Sequence, residues 1–265
     1  MRNTYAFLGF LSLASFAASP LAAADLGITI TNNMAAGGSA FTPVWLGVHD
    51  GTFDTFDSGS AASAAVEAVA ELGDTAPITT AFTGVGPQTT LAAGGPFVPG
   101  AVASTTLSVP NPTSERYLSF LSMIVPSNDL FMGNGNPTAI EVFDAGGNFV
   151  GPLTITVMGS NVWDAGTEVN DATDGPAFVL GVDATLGTTE NGTVELFLGQ
   201  AGAADYLSSF LGLTSATGYE FTNLVPADGV IATITIVPEP STMALAGMGI
   251  VGLAVAGWRR RRAAR

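Results

Sequence analysis

Between residues 25 and 237 the chain alternates short apolar runs with turn residues, at intervals too brief for long helices. Residues 26–31 (LGITIT) place isoleucines and threonines at a period of two, the mark of a strand with one buried face. Further β-type runs fall at 41–48, 101–109, 117–125, 138–143, 153–158, 193–198 and 230–237. Asn134-Gly135-Asn136-Pro137, Asp144-Ala145-Gly146-Gly147 and Asn191-Gly192 punctuate them. Eight short strands with such turns predict two packed antiparallel sheets, a mainly β sandwich. One segment breaks the period: residues 61–72 (AASAAVEAVAEL) are rich in helix formers, follow the candidate caps Ser58 and Ser60, and stop at Gly73. A second, weaker helix is expected over 203–211. Residues 84–100, rich in Gly and Pro, are the expected mobile loop.

The two ends follow another logic. Residues 1–24 combine Arg2, an apolar stretch over 6–18 and Ala22-Ala23-Ala24, which predicts a signal helix cut by signal peptidase after Ala24. At the other end, residues 243–258 form an apolar run about 24 Å long as a helix, followed by Arg259–Arg262. A transmembrane helix is expected there, with the arginines holding the C-terminus in the cytoplasm and Trp258 at the interface. The predicted domains are therefore 1–24, 25–237 and 238–265.

Charge sharpens the picture. All 22 acids lie between Asp25 and Glu239, and Arg116 is the one base among them, a formal −21. Such a surface repels phosphate, so nucleic-acid binding is excluded, and it attracts cations. The absence of cysteine excludes disulfides, zinc–thiolate sites and cysteine catalysis. The densest acidic stretch is residues 162–174 (VWDAGTEVNDATD), with Asp164, Glu168, Asp171 and Asp174, Gly166 for the turn and Asn170 as a further oxygen donor. Hard cations such as Ca²⁺ take six to eight oxygens in irregular geometry. The spacing is not that of an EF-hand. His49, the single histidine, reads as structural, since the chain has neither a Gly-x-Ser-x-Gly elbow nor an HExxH motif. The cluster Asp50, Asp54 and Asp57 reads as solvated acids or a weak cation site.

Two resemblances follow from these residues. Pro238-Glu239-Pro240, a short apolar span and a terminal arginine cluster resemble the PEP-CTERM sorting signal. That implies an exosortase-type peptidase as partner, transient anchoring in the inner membrane, and delivery to the surface or extracellular matrix of a Gram-negative bacterium. Residues 122–133 (SMIVPSNDLFMG) and 162–168 (VWDAGTE) resemble the two motifs of the spondin N-terminal domain, and residues 41–63 are similar to its bacterial members. The resemblance implies a C2-like, spondin-type sandwich and Ca²⁺ held by Asp129, Asp164 and Glu168. Glu168 replaces the usual aspartate, and the disulfides of animal members are absent. The function implied is that of a non-enzymatic, calcium-binding surface protein in adhesion or biofilm and exopolysaccharide organisation, with polysaccharide or a surface protein as partner. The alternative is a secreted hydrolase acting on polysaccharide through the acidic loop.

Overall fold

The computed structural model describes residues 23–226 and 228–239. In chain order the elements are β1 (Ala24–Asn32), β2 (Ala40–Phe41), β3 (Val44–His49), helices α1 (Ala64–Leu72) and α2 (Ala76–Ala81), β4 (Gln88–Leu91), β5 (Val102–Val109), β6 (Tyr117–Val125), β7 (Leu130–Gly133), β8 (Leu153–Met158), β9 (Trp163–Asp164), β10 (Glu195–Leu196), α3 (Ala203–Ser209) and β11 (Val230–Pro238). The fold is mainly β. One antiparallel sheet runs β5-β1-β11-β8 and a larger one β10-β9-β7-β6-β3-β4, with β2 joined to β6.

The period of two decides which side chains meet. Ile28 and Ile30 of β1, and Ile234 and Ile236 of β11, turn inward. There they share one core with Val44, Leu46 and Val48 of β3, and with Leu118, Phe120 and Ile124 of β6. The intervening threonines stay half-exposed on the outer face. Strands β3 and β6 are buried on both faces. Their other side, with Trp45 and Leu121, packs against Val66, Val69 and Ala70 of α1 and against Ile78 and Phe82. A four-stranded sheet, a shared core, a larger sheet and a helical layer thus stack in that order.

Strands β6 and β8 fall where their runs predict, and β1, β5 and β11 differ only at their ends. Elsewhere local chemistry overrides the pattern. The run 41–48 splits at Pro43, which has no N–H to offer a ladder, leaving β2 and β3. Residues 138–143 do not form a strand: they touch neighbours through the single bridges Tyr117–Glu141 and Phe143–Phe149. The run 193–198 keeps two strand residues before a 3₁₀ turn over Phe197–Gly199. Residues 84–100, expected as a loop, contain β4 and the fully buried Phe97, stacked on Phe41 at 4.8 Å and bonded to it through both backbones. An apolar anchor, invisible in a Gly/Pro count, fixes this segment. Helix α1 starts three residues later than its apolar run, because Ser63, not Ser58 or Ser60, accepts from Val66 N; it ends at Gly73 in the left-handed region as expected. Among the described residues no helix is long and apolar enough to cross a membrane. The expected signal and transmembrane helices lie outside the described residues.

Buried Asn32 shows how the layers are tied. Its Nδ2 donates to Ser39 O at 3.1 Å and Phe97 O at 2.6 Å, and its Oδ1 accepts from Met34 N at 2.8 Å. Asn32→Leu keeps the branched shape, at somewhat greater volume, but strands these backbone groups, so a loss of about 2–4 kcal/mol in chemical denaturation is expected. A loss under about 0.5 kcal/mol would mean that water replaces the amide.

Candidate metal centre

The centre forms where the turn between β6 and β7 meets the acidic loop after β9. β9 pairs with β7, Leu130 against Asp164, which brings Asp129 beside Asp164. Both carboxylates are buried, at 0% and 2% exposure. Asp129 Oδ2 accepts from Thr167 N at 2.8 Å, Glu168 N at 3.1 Å and Thr167 Oγ1 at 3.2 Å. Asp164 Oδ1 accepts from Gly166 N at 2.8 Å and its Oδ2 from Asn170 Nδ2 at 2.6 Å.

Glycines make the loop possible. Gly166 sits at φ +66°, and a Cβ there would lie 2.7 Å from Thr193 N and 2.8 Å from Thr193 O. Gly187 leaves room for Glu168: a Cβ would fall 2.1 Å from its Oε2. Glu168 is 7% exposed and bridges in the backbone to Thr189.

Among the described residues no positive group pairs with these acids. Among the described residues the one ion pair joins Arg116 to Glu141, outside the centre. Burial, and next the charge of Asp164, push the Asp129 carboxyl up to about 7. Burial raises Asp164 as well, against the downward pull of Asn170 and Gly166. Glu168 is pushed up to about 7 by burial first and then by Glu71.

Among the described residues, three buried side-chain oxygens have no hydrogen-bond partner: Asp129 Oδ1, Glu168 Oε2 and Asn170 Oδ1. All three accept and none donates, so a proton, a water or a cation is what would satisfy them. The donors are all oxygen, which suits a hard cation. The residues therefore fit Ca²⁺, within a limit. Among the described residues no three Asp, Glu, His or Cys side chains converge into a ready-made metal cluster. The fold brings Asp129 and Asp164 together, with the Asn170 amide against Asp164. Glu168 shares the loop, but the charges that weigh most on its carboxyl are Glu71, Asp174 and Glu67.

The other acids have local partners. Asp171 caps Thr173 N at 2.7 Å, and Asp174 accepts from Thr188 Oγ1 at 2.9 Å. His49 is fully buried, bonded to Ser119 Oγ at 3.0 Å and to Gly51 N at 3.0 Å, and burial lowers its pKa. Its side-chain partner is thus Ser119. Asn128 is the residue that sequence reasoning passed over. Its Nδ2 donates to Asp174 O at 2.8 Å, and its Oδ1 accepts from Asp171 N at 3.1 Å and from Tyr206 Oη at 2.7 Å. It joins the turn to the loop and to α3. The signal was its place beside Asp129 in the motif, yet nothing there announces a partner 78 residues away.

Comparison with known proteins bears on the same residues. The Spondin_N family profile matches residues 34–180, which contain Asp129, Asp164 and Glu168. The PEP-CTERM protein-sorting motif matches residues 237–262. No curated protein matches the chain. Strands β1 and β11 lie outside the Spondin_N match, although they form the middle of the smaller sheet. The sorting motif marks the chain as an exported protein sorted to the cell surface. With more than half of its length matched, the chain belongs to the Spondin_N family and carries a PEP-CTERM tail.

Proposed function

We propose that this is a non-enzymatic, calcium-binding surface protein with a C2-like sandwich, in which Ca²⁺ held by Asp129, Asp164 and Glu168 fixes two loops into a rim that engages extracellular polysaccharide or a surface protein. The observation that carries this reading is the set of buried, unpartnered acceptor oxygens in a place where no described residue supplies a cation. Bound calcium supplies a positive charge that no described residue provides there. Thr167 and Glu168 amides orient Asp129, and Asn170 and Gly166 orient Asp164, so both carboxylates are held before any ion arrives. Family membership and the sorting tail support the reading of a role in adhesion or biofilm.

A ligand bound only by the folded state adds about 2.7 kcal/mol at a hundredfold excess over its Kd. For a domain of this size each kcal/mol moves the midpoint by roughly 2–4 °C. Thermal melts of the domain in EGTA, Ca²⁺ and Mg²⁺ at equal ionic strength should thus show a Ca²⁺-selective rise of several degrees, abolished by Asp164→Asn. An equal response to Mg²⁺, or none, counts against the site.

A hydrolase remains the second reading because Asp164 opens onto a cleft of about 380 Å³ lined by Glu190, Thr193, Glu195 and Gln200. It predicts polysaccharide turnover that Glu195→Gln abolishes without altering the melt. Absence of turnover across neutral and acidic glycans favours the binding protein.

A further inference from the structure

The sorting motif does not hang from the domain on a linker. β11 runs into it: Val237 pairs with Gly27 and Pro238 with Leu26 of β1. Pro238 lacks an N–H, yet the ladder resumes past it, with Glu239 N donating to Asp25 O at 2.8 Å. The Glu239 side chain lies across the face of β1, where Gly27 leaves it room. A Cβ on Gly27 would meet Glu239 Oε1 at 2.7 Å and Val237 Cγ2 at 3.3 Å. Glu239 closes one side of a shallow cleft floored by Gly27, Thr29, Ser104 and Thr106. Antiparallel pairing also sets the start of β1 beside the end of β11, so the expected cleavage site at Ala24 and the sorting motif share one end of the sheet.

We propose that β1 is an intramolecular seat for the sorting motif: the folded domain holds Pro238 and Glu239 on β1 across Gly27, and the sorting peptidase must lift them off before it cuts the tail. A peptidase that binds its substrate as an added strand needs the main-chain groups and the glutamate side chain free. Here the amide of Glu239 is engaged, and its carboxylate is laid against the sheet. Folding and tail removal therefore compete for the same residues. The proposal rests on removal of the tail by an exosortase-type enzyme and is independent of calcium.

Two full-length variants test it. Gly27→Thr places a β-branched residue in the same outward row as Thr29 and Thr31, so the strand is kept, while its Cβ displaces the end of the Glu239 side chain and presses lightly on Val237 Cγ2. Six Gly/Ser residues inserted between Val237 and Pro238 free the whole motif. Amide hydrogen exchange on the full chain in detergent should show the Glu239 amide protected in the wild type and in Gly27→Thr, which frees only the side chain, and released by the insertion. Pulse–chase blots in a host with the sorting machinery should show the tail removed several-fold faster from both. A melting midpoint within a few degrees of wild type confirms that Gly27→Thr is folded. An unprotected Glu239 amide in the wild type overturns the seat. Equal or slower cutting of the freed motif overturns the restraint. A tail cut in none of the three chains overturns the sorting reading and the restraint with it; the calcium melt is unaffected, and amide exchange still reports on the seat.

Discussion

In EGTA the domain should lose stability as the pH rises from about 4 to about 7, and in saturating Ca²⁺ it should gain stability over the same interval. Asp129 and Glu168 both keep their protons to about 7 in the folded chain. The unfolded chain releases them near 4, the ordinary carboxylate range. Between those values the folded state binds more protons than the unfolded one, so stability falls with pH. The contribution is complete below about 4 and is gone above about 7. Asp50, Asp144, Asp171 and Asp183 act with the opposite sign, because bonds from nearby Thr or Asn hold their carboxyls down, and they act below pH 4. The windows do not overlap. Calcium changes the sign in the upper window because it takes the place of the protons and must compete with them. Melting curves at half-unit pH steps in EGTA and in Ca²⁺ should therefore diverge as the pH rises. Asp129→Asn should flatten both. Parallel curves would show that the buried carboxylates are not the calcium ligands.

How much of this was legible in the chain depends on the range of the interaction that decides each element. Strands with one buried face announce themselves through a period of two, as Ile28, Ile30, Ile234 and Ile236 do. β7 and β9 do not, because two to four residues cannot display a period. They exist because the chain is led back across β6, and that is a tertiary fact. Phe97 tells the same story in the glycine-rich stretch. Asp129 and Asp164 were found through short motifs, and the pairing of β7 with β9 explains why those motifs belong together. Glu168 shows where motif reading ends. Its position in the loop follows from sequence, but the direction of its carboxyl follows from the space above Gly187 and from Glu71 on α1, neither of which a motif records. The seat of Glu239 was equally hidden, since it requires knowing that β1 and β11, more than 200 residues apart, are neighbours in one sheet.

Asn128 ought to be as important to the centre as the carboxylates, and substitution should separate its two roles. Asn128→Ala removes three hydrogen bonds at a fully buried position. Asp171 N and Asp174 O lie on half-buried and exposed residues, where water can replace the amide. The Tyr206 hydroxyl is buried, and burial holds its pKa well above the usual phenol value, so it remains a donor without an acceptor. Each stranded buried group costs about 1–3 kcal/mol. A total of about 2–4 kcal/mol is expected, which lowers the midpoint by roughly 5–15 °C. The calcium response should weaken as well, because the loop that carries Asp164 and Glu168 loses its tie to the turn that carries Asp129. Asn128→Asp is the discriminating partner. It keeps an acceptor for Tyr206 but loses the donor to Asp174 O and adds a charge next to Asp129. In EGTA it should melt below wild type. In Ca²⁺ it should recover much of the difference, since a cation at the centre offsets the added charge. If Asn128 were only a tie between loops, calcium would raise Asn128→Asp by no more than it raises wild type.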